Sequence, residues 1–573
     1  MPSNIIEFID ASLDIPGSKY DPVYDLNLEI KKGEFLGLCG TGHSGARTLC
    51  LMINGLAPHA TGGRLRGHVL VKGLDTRQNP PKMLALHVGI VFDDPEGQFL
   101  GMTVEDHVAF APENLNLPIP EIRTRVDWAL ESVGMLSMRH RSLTDLSGGQ
   151  KQRLAIAAAL SMRPDILVLS DVTFALDPIG ANEVYAIARQ LNKEQGVTII
   201  ILDQDTEKLC EYCDRLAVMD AGCLVAVGRP DEVFSEIPIN IQHKIRIPQV
   251  TELFIAFQEK FGIRLDKIPV NLDEALTIWK NLGFILRIPQ GRKVHDPISL
   301  DPIIQVKDLI HVYPGGNQAL NNINLNINRG EFVALVGQNG SGKTTLVKHI
   351  IHLLSPTNGS LTVLGRDIQG ESVCNLARKV GYVFQNPDQQ LFNSSVEQEL
   401  SFGPNNLGFD NERIHNSIQK VANALELAQQ LQTDPFQLSR GERERVAVGS
   451  ILTMGPDVLM LDEPTTGLYW QETRQMLDFI KFLNREEGLT IIMITHNMRL
   501  VSEYTDRAIV IADGEILIDD TVESVFLNKQ MLEHASLCPP QITQLAMSVQ
   551  PDLDYAILTT QEFIDNTEKG ISY

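Results

Sequence analysis

At 573 residues the chain is too long for one hydrophobic core, so at least two domains are expected. Its 43% apolar and 21% charged content describes a globular chain rather than a disordered one. A formal net charge of −23 argues against a protein whose main task is gripping nucleic acid, which needs a dominant basic field.

The opening stretch Met1-Pro2-Ser3-Asn4-Ile5-Ile6-Glu7 has no basic segment leading into an apolar one, and no window holds ~18 uninterrupted apolar residues. The chain is expected neither to enter nor to span a membrane by itself. Gly40-Thr41-Gly42-His43-Ser44-Gly45-Ala46-Arg47-Thr48 is the first glycine-rich turn. Beyond it, Val88-Gly-Ile-Val-Phe-Asp-Asp-Pro, Leu146-Ser-Gly-Gly-Gln and Ile199-Ile-Ile-Leu-Asp-Gln all return in the second half. Their second versions are Val380-Gly-Tyr-Val-Phe-Gln-Asn-Pro, Leu438-Ser-Arg-Gly-Glu and Ile491-Ile-Met-Ile-Thr-His, always in the same register. Two copies of one domain are therefore joined head to tail. The repeat extends to Pro248-Gln-Val-Thr-Glu-Leu and Pro540-Gln-Ile-Thr-Gln-Leu, so each copy carries the same C-terminal extension.

Seven scattered cysteines, an odd number, read as reduced thiols rather than a disulfide framework. Cys210-x-x-Cys213 has no second Cys/His pair at ligand spacing and aligns with Ser502 and Thr505, so it reads as small helix residues. A linker rich in proline and basic residues, 287–302, separates copy one (1–286) from copy two (303–573). Within each copy, β-branched runs such as Leu489-Thr-Ile-Ile-Met-Ile-Thr alternate with helical patterns such as Val446-Ala-Val-Gly-Ser-Ile-Leu. That alternation predicts an α/β core with a mainly parallel sheet.

In copy two the apolar run Phe332–Val336 leads into Gly337-Gln338-Asn339-Gly340-Ser341-Gly342-Lys343-Thr344-Thr345, a full match to the phosphate-cradling loop. Glycines let successive backbone N–H groups converge on phosphate oxygens, the following helix offers its positive end, and Lys343 adds a point charge. Thr344 is the expected Mg²⁺ ligand.

This loop, the pentad Leu146-Ser147-Gly148-Gly149-Gln150 and the run Val458-Leu-Met-Leu-Asp462-Glu463-Pro464 together resemble the ATP-binding cassette ATPases, over nearly the whole chain and twice. The resemblance implies two nucleotide-binding domains, each with a RecA-like, mainly parallel core, an antiparallel β part, a helical signature subdomain and a C-terminal extension. It also implies ATP and Mg²⁺ as cofactors, and composite sites in which each ATP lies between the phosphate loop of one copy and the pentad of the other. Carried over by position, Asp462 helps hold the metal and Glu463 orients the attacking water. Gln385 senses metal and γ-phosphate, His496 bonds the γ-phosphate and Tyr313 stacks on adenine.

Copy one departs from this pattern. Ala46 stands at the lysine position, Arg47 at the metal-ligand position, Asp93 for the glutamine, Ser170 and Asp171 for the acidic pair, Gln204 for the histidine and Ile15 for the tyrosine. Charge-assisted hydrogen bonds contribute about 1.5–3 kcal/mol each, so copy one's own site is expected to be dead. The altered pentad Ser439-Arg440-Gly441-Glu442 belongs to copy two and the intact one to copy one. Asp177 of copy one likewise keeps an acidic residue where copy two has Tyr469. Every defect thus falls on one composite site, and the intact parts make the other.

The stretch Asn386-Pro-Asp-Gln-Gln-Leu391-Phe392 with Phe402-Gly-Pro-Asn-Asn-Leu-Gly is similar to the ATPases of energy-coupling factor importers and their cobalt or nickel relatives. That likeness implies an ATP-driven importer of a vitamin or transition-metal ion, peripheral on the cytoplasmic face of the membrane. Its partners are a transmembrane scaffold subunit and a substrate-binding membrane subunit, with no nucleic acid. Leu391, Phe392, Phe99 and Leu100 are expected to help form grooves for the scaffold. Two rivals remain: a fused cassette of another importer such as a sugar type, and a soluble cassette protein acting on ribosomes or DNA.

Overall fold

The computed structural model describes residues 3–15, 21–174, 176–287, 301–551 and 553–569; most of the linker, 288–300, lies outside the described residues. In copy one, strands Val23–Lys31, Asn4–Asp14, Arg64–Val71 and Leu74–Asp75 form an antiparallel sheet in that order. A second sheet runs in the order Cys223–Gly228, Arg215–Asp220, Phe35–Gly40, Thr198–Leu202, Ile166–Ser170, Val88–Val91, parallel except for the first pair. Strands such as Ile166–Ser170 and Thr198–Leu202 are buried at every position, which is why they read as continuous apolar runs rather than alternating ones.

Copy two repeats this topology. Its parallel core orders Val380–Val383, Val458–Asp462, Thr490–Ile494, Phe332–Val336, Arg507–Ala512 and the antiparallel Glu515–Thr521. The same polar staple recurs in both. Asn192 Nδ2 donates to Gly33 O (2.9 Å) and Val197 O (3.0 Å), and Asn484 Nδ2 to Gly330 O (2.9 Å) and Leu489 O (2.7 Å). Helices Val104–Asn114, Ile119–Ser132 and Gly148–Leu160 build the signature subdomain of copy one, and Val396–Asn406, Asn411–Ala424 and Arg440–Leu452 that of copy two. This is the α/β architecture anticipated from the sequence.

The recurrent Pro-Gln-x-Thr element has a structural reason. Thr251 Oγ1 donates to Pro269 O (2.7 Å) and Thr543 Oγ1 to Ile557 O (2.6 Å), so each threonine ties its helix to the following loop. The described residues form two compact units, one of Met1–Thr251, Arg264–Asn271 and Tyr469–Gln471, the other of Glu252–Ile263, Leu272–Leu468 and Glu472–Tyr573. Most of copy one's extension thus belongs to the second unit. There Phe257 is fully buried among Phe254, Phe261, Trp279, Phe284 and Phe563, with ring centroids 5.4–6.3 Å away. Strand Phe284–Leu286 pairs antiparallel with Thr567–Lys569. The two extensions therefore share one aromatic core.

Candidate nucleotide site

In the second unit the phosphate loop joins strand Phe332–Val336 to helix Lys343–Ile350. Two of its glycines are obligatory. A Cβ on Gly337 would lie 2.1 Å from Ile511 O, and Gly342, at φ 107°, would place one 2.6 Å from Ala319 O. Lys343 is buried, its Nζ donating to Gly337 O (2.8 Å) and Gln338 O (2.6 Å) inside the loop's own curl. A cation held by neutral carbonyls at a helix N-terminus makes a ready anion site.

Beside it, Thr344 Oγ1 donates to Asp462 Oδ2 (3.1 Å) and Tyr382 OH to the same oxygen (2.9 Å). Burial pushes the Asp462 carboxyl up, with the Tyr382 and Thr344 hydroxyls opposing and Glu463 reinforcing the shift. Glu463, buried and held at φ 51°, meets His496 with Oε1···Nδ1 at 3.0 Å. The left-handed backbone turns Glu463 out of the strand line that Asp462 ends. Gln385 is exposed in the loop after Val380–Val383. Tyr313 OH lies 3.1 Å from Thr345 Oγ1, its ring edge-on to His311. The fold gathers Thr344, Asp462, Glu463 and His496 around the loop, with Tyr313 at its helix.

The corresponding positions of copy one carry a different network. Arg47 Nη2 lies 2.5 Å from Asp93 Oδ1 and its Nε 4.0 Å from Asp171 Oδ2. Burial pushes the Asp171 carboxyl up to about 7, with Arg47 opposing and Asp93 and Asp203 adding to the shift. Ser170 is fully buried with an unpartnered hydroxyl among the described residues. His43 turns outward to Asp21 (2.9 Å), and Ile15 packs in the core. Ala46 presents only a methyl where Lys343 presents a charge, and Gln204 is half-buried.

Each pentad serine caps its signature helix. Ser147 Oγ accepts from Gln150 N (3.4 Å) while Gln150 Oε1 accepts from Ser147 N (3.1 Å), leaving Ser147 and Gly148 exposed and Gly149 half-exposed. Ser439 and Glu442 make the same box, but there Gly441 is buried and Arg440 replaces Gly148. Asp177 caps helix Pro178–Gln195 through Gly180 N (2.9 Å).

A family model described as ABC transporter matches residues 23–173 and 320–466, one match in each copy. A protein of Caldanaerobacter subterraneus subsp. tengcongensis described as an ABC transporter ATP-binding protein is 38% identical, over 95% of this chain and 95% of its own length. The chain belongs to the ABC transporter family. A Methanosarcina acetivorans protein with a similar description is 38% identical over 93% of this chain and 89% of its own. The solved structure of cbiO1 from Clostridium perfringens, described as part of the ABC transporter complex cbiONQ, covers 43% of this chain and 99% of its own at 33% identity and a TM-score of 0.38. This ABC protein is thus a tandem-cassette ATPase, the ATP-binding part of a transporter, and no helix among its described residues is long and apolar enough to cross a membrane.

Two features of the ABC protein escaped the sequence. Tyr382, which bonds Asp462, stands where copy one has Ile90; comparing the two repeats would have flagged it. Leu391, expected in a surface groove, is instead only 3% exposed. Phe392 N and Asn393 N both donate to Glu399 Oε2 (3.1 and 2.8 Å), a turn that sends Leu391 inward and leaves Phe392 60% exposed against Phe402. In copy one, Phe99 is likewise packed against the core, while Leu100 and Phe110 are exposed.

Proposed function

We propose that the protein is the motor of a membrane importer with a single catalytically competent ATP site. That site consists of the copy-two residues Tyr313, Gly337–Thr345, Gln385, Asp462, Glu463 and His496, completed by Ser147, Gly148, Gly149 and Gln150 of copy one. The observation that carries this reading is reciprocal. Copy two keeps the lysine, the acidic pair and the histidine but has Ser439-Arg440-Gly441-Glu442, whereas copy one keeps the pentad but has Ala46, Arg47, Asp93, Ser170, Asp171 and Gln204. A copy that had merely decayed would not preserve the parts used by its partner.

In the reaction, Lys343 and the loop N–H groups bind the β- and γ-phosphates. Glu463, oriented by His496, holds the attacking water, and Ser147 with the helix start behind it faces the γ-phosphate. Thr344, Asp462 and Gln385 offer only oxygen ligands and fit a hard cation such as Mg²⁺, which when bound neutralises developing phosphate charge. Copy one's site, with a guanidinium at the metal-ligand position, contributes no turnover.

The cargo class we infer is a vitamin or transition-metal ion, delivered by a scaffold subunit and a substrate-binding subunit in the membrane, with this protein peripheral on the cytoplasmic face. Support comes from the Asn386–Phe392 pattern and from matching exposed apolar pairs, Phe392 with Phe402 and Leu100 with Phe110, which suit the ends of membrane-protein helices.

Two measurements test these readings. Ser147→Ala is expected to abolish turnover as completely as Lys343→Ala; normal hydrolysis by Ser147→Ala refutes the shared site. Purification from detergent-solubilised membranes is expected to recover two multi-span proteins, and recovery of ribosomes instead overturns the transport assignment.

A further inference from the structure

The site of copy one contains a network that copy two repeats only in part, and it leads to the signature helix. Arg47 binds Asp93 at 2.5 Å and reaches Asp171 at 4.0 Å. The Asp93 carbonyl accepts from Gln152 Nε2 (3.4 Å), and three residues further on Glu96 Oε1 accepts from Lys151 Nζ (2.6 Å). Gln152 and Lys151 belong to helix Gly148–Leu160, whose first turn is capped by Ser147. One guanidinium is therefore connected, through one short loop and two helix contacts, to the pentad.

Copy two keeps only the outer half of this arrangement. Arg443 Nε pairs with Asp388 Oδ1 (2.7 Å), as Lys151 does with Glu96. At the inner end Thr344 binds Asp462 rather than Gln385, and Gln385 makes no side-chain hydrogen bond among the described residues. In copy two the loop after Gln385 is tied to its helix by Gln390, whose Nε2 donates to Ala447 O (2.8 Å) and Ser450 Oγ (3.0 Å), and the Gln385 side chain itself is unbonded among the described residues, whereas in copy one Asp93 itself is held by a permanent cation. A charge-assisted pair of this kind fixes position more strongly than a neutral hydrogen bond.

We infer that Arg47 is a positioning residue for ATP hydrolysis at the other copy's phosphate loop: it acts as a built-in cation that holds the Asp93–Glu96 loop, and through it the helix presenting Ser147. This inference rests on the shared-site reading above. It assigns the altered loop of copy one a task that its loss of lysine and metal ligand does not impair. It also explains why arginine, whose planar guanidinium can face two carboxylates at once, stands at this position.

The test uses the full-length protein. Steady-state ATPase kinetics are measured for Arg47→Ala, Asp93→Asn, Arg47→Lys and Ser147→Ala, with binding of a fluorescent ATP analogue measured in a Glu463→Gln background. Arg47→Ala and Asp93→Asn are each expected to lower kcat about tenfold while KM and analogue affinity stay within about twofold, because the copy-two loop is untouched. Arg47→Lys, which keeps the charge but cannot face both carboxylates at once, is expected to recover only part of the rate. If Ser147→Ala is inactive while both Arg47→Ala and Asp93→Asn turn over at the wild-type rate, this inference falls and the shared site stands. If Ser147→Ala is fully active, the shared site itself falls. Should Arg47→Ala melt early, Asp93→Asn decides, and a changed analogue affinity with unchanged kcat counts against the inference.

Discussion

Replacing Tyr382 by phenylalanine removes a single hydroxyl from the candidate site. That hydroxyl donates to Asp462 Oδ2 at 2.9 Å, and Asp462 is 3% exposed, so no water readily takes its place. A hydrogen bond to a buried carboxylate contributes about 1.5–3 kcal/mol, which at 1.36 kcal/mol per decade is about one to two decades in the equilibrium it supports. Loss of the donor also lets burial raise the Asp462 carboxyl further, since Tyr382 is the largest influence holding it down. The deprotonated carboxylate is the form that accepts from Thr344 and is proposed to hold the metal. The expected result is a 10–100-fold rise in the Mg²⁺ concentration that half-saturates ATPase activity. The acid limb of the pH–rate profile is expected to move to higher pH. The assay is a Mg²⁺ titration at saturating ATP repeated between pH 5.5 and 8.5. An unchanged half-saturating Mg²⁺ concentration together with an unmoved acid limb refutes the argument, because Tyr382 then does not act through Asp462.

Three further outcomes are expected. Phe257→Ala, at the centre of the aromatic core shared by the two extensions, should lower the stability of the second unit by about 3–5 kcal/mol in denaturant unfolding; a loss under 1 kcal/mol would mean the cluster does not hold that unit together. Glu252→Gln deprives the buried Arg499 of a bidentate partner at 2.8 Å while leaving Glu503 at 2.9 Å, so a thermal-melt loss of about 2–3 kcal/mol is expected, and none if Glu503 suffices. Glu444 is fully buried, neither carboxyl oxygen has a hydrogen-bond partner among the described residues, and burial pushes it up to about 9, with Arg440 opposing. The folded state then keeps a proton that the unfolded chain releases near its ordinary 4.5, so stability drains as pH climbs from about 4.5 toward 9. Glu444→Gln should remove that fall and add about 3 kcal/mol at pH 7, and a pH dependence equal to wild type would contradict it.

Much of this protein is written locally. The two-copy plan, the parallel cores and the phosphate loop follow from residues adjacent in sequence, because buried parallel strands must be continuous apolar runs and a phosphate cradle needs glycines at set spacing. Comparing the repeats likewise revealed which copy has lost which chemical group. What the sequence could not decide were contacts made across the fold. Leu391 and Phe392 are neighbours of similar character, and only the turn held by Glu399 buries one and exposes the other. Arg47 reads by itself as a lost metal ligand. Only the return of the chain at Asp93 and Asp171 makes it the cation of a network that reaches Ser147's helix. Spacing determines which groups a loop can present; the partners that orient them come from distant strands, and those are chosen by tertiary packing.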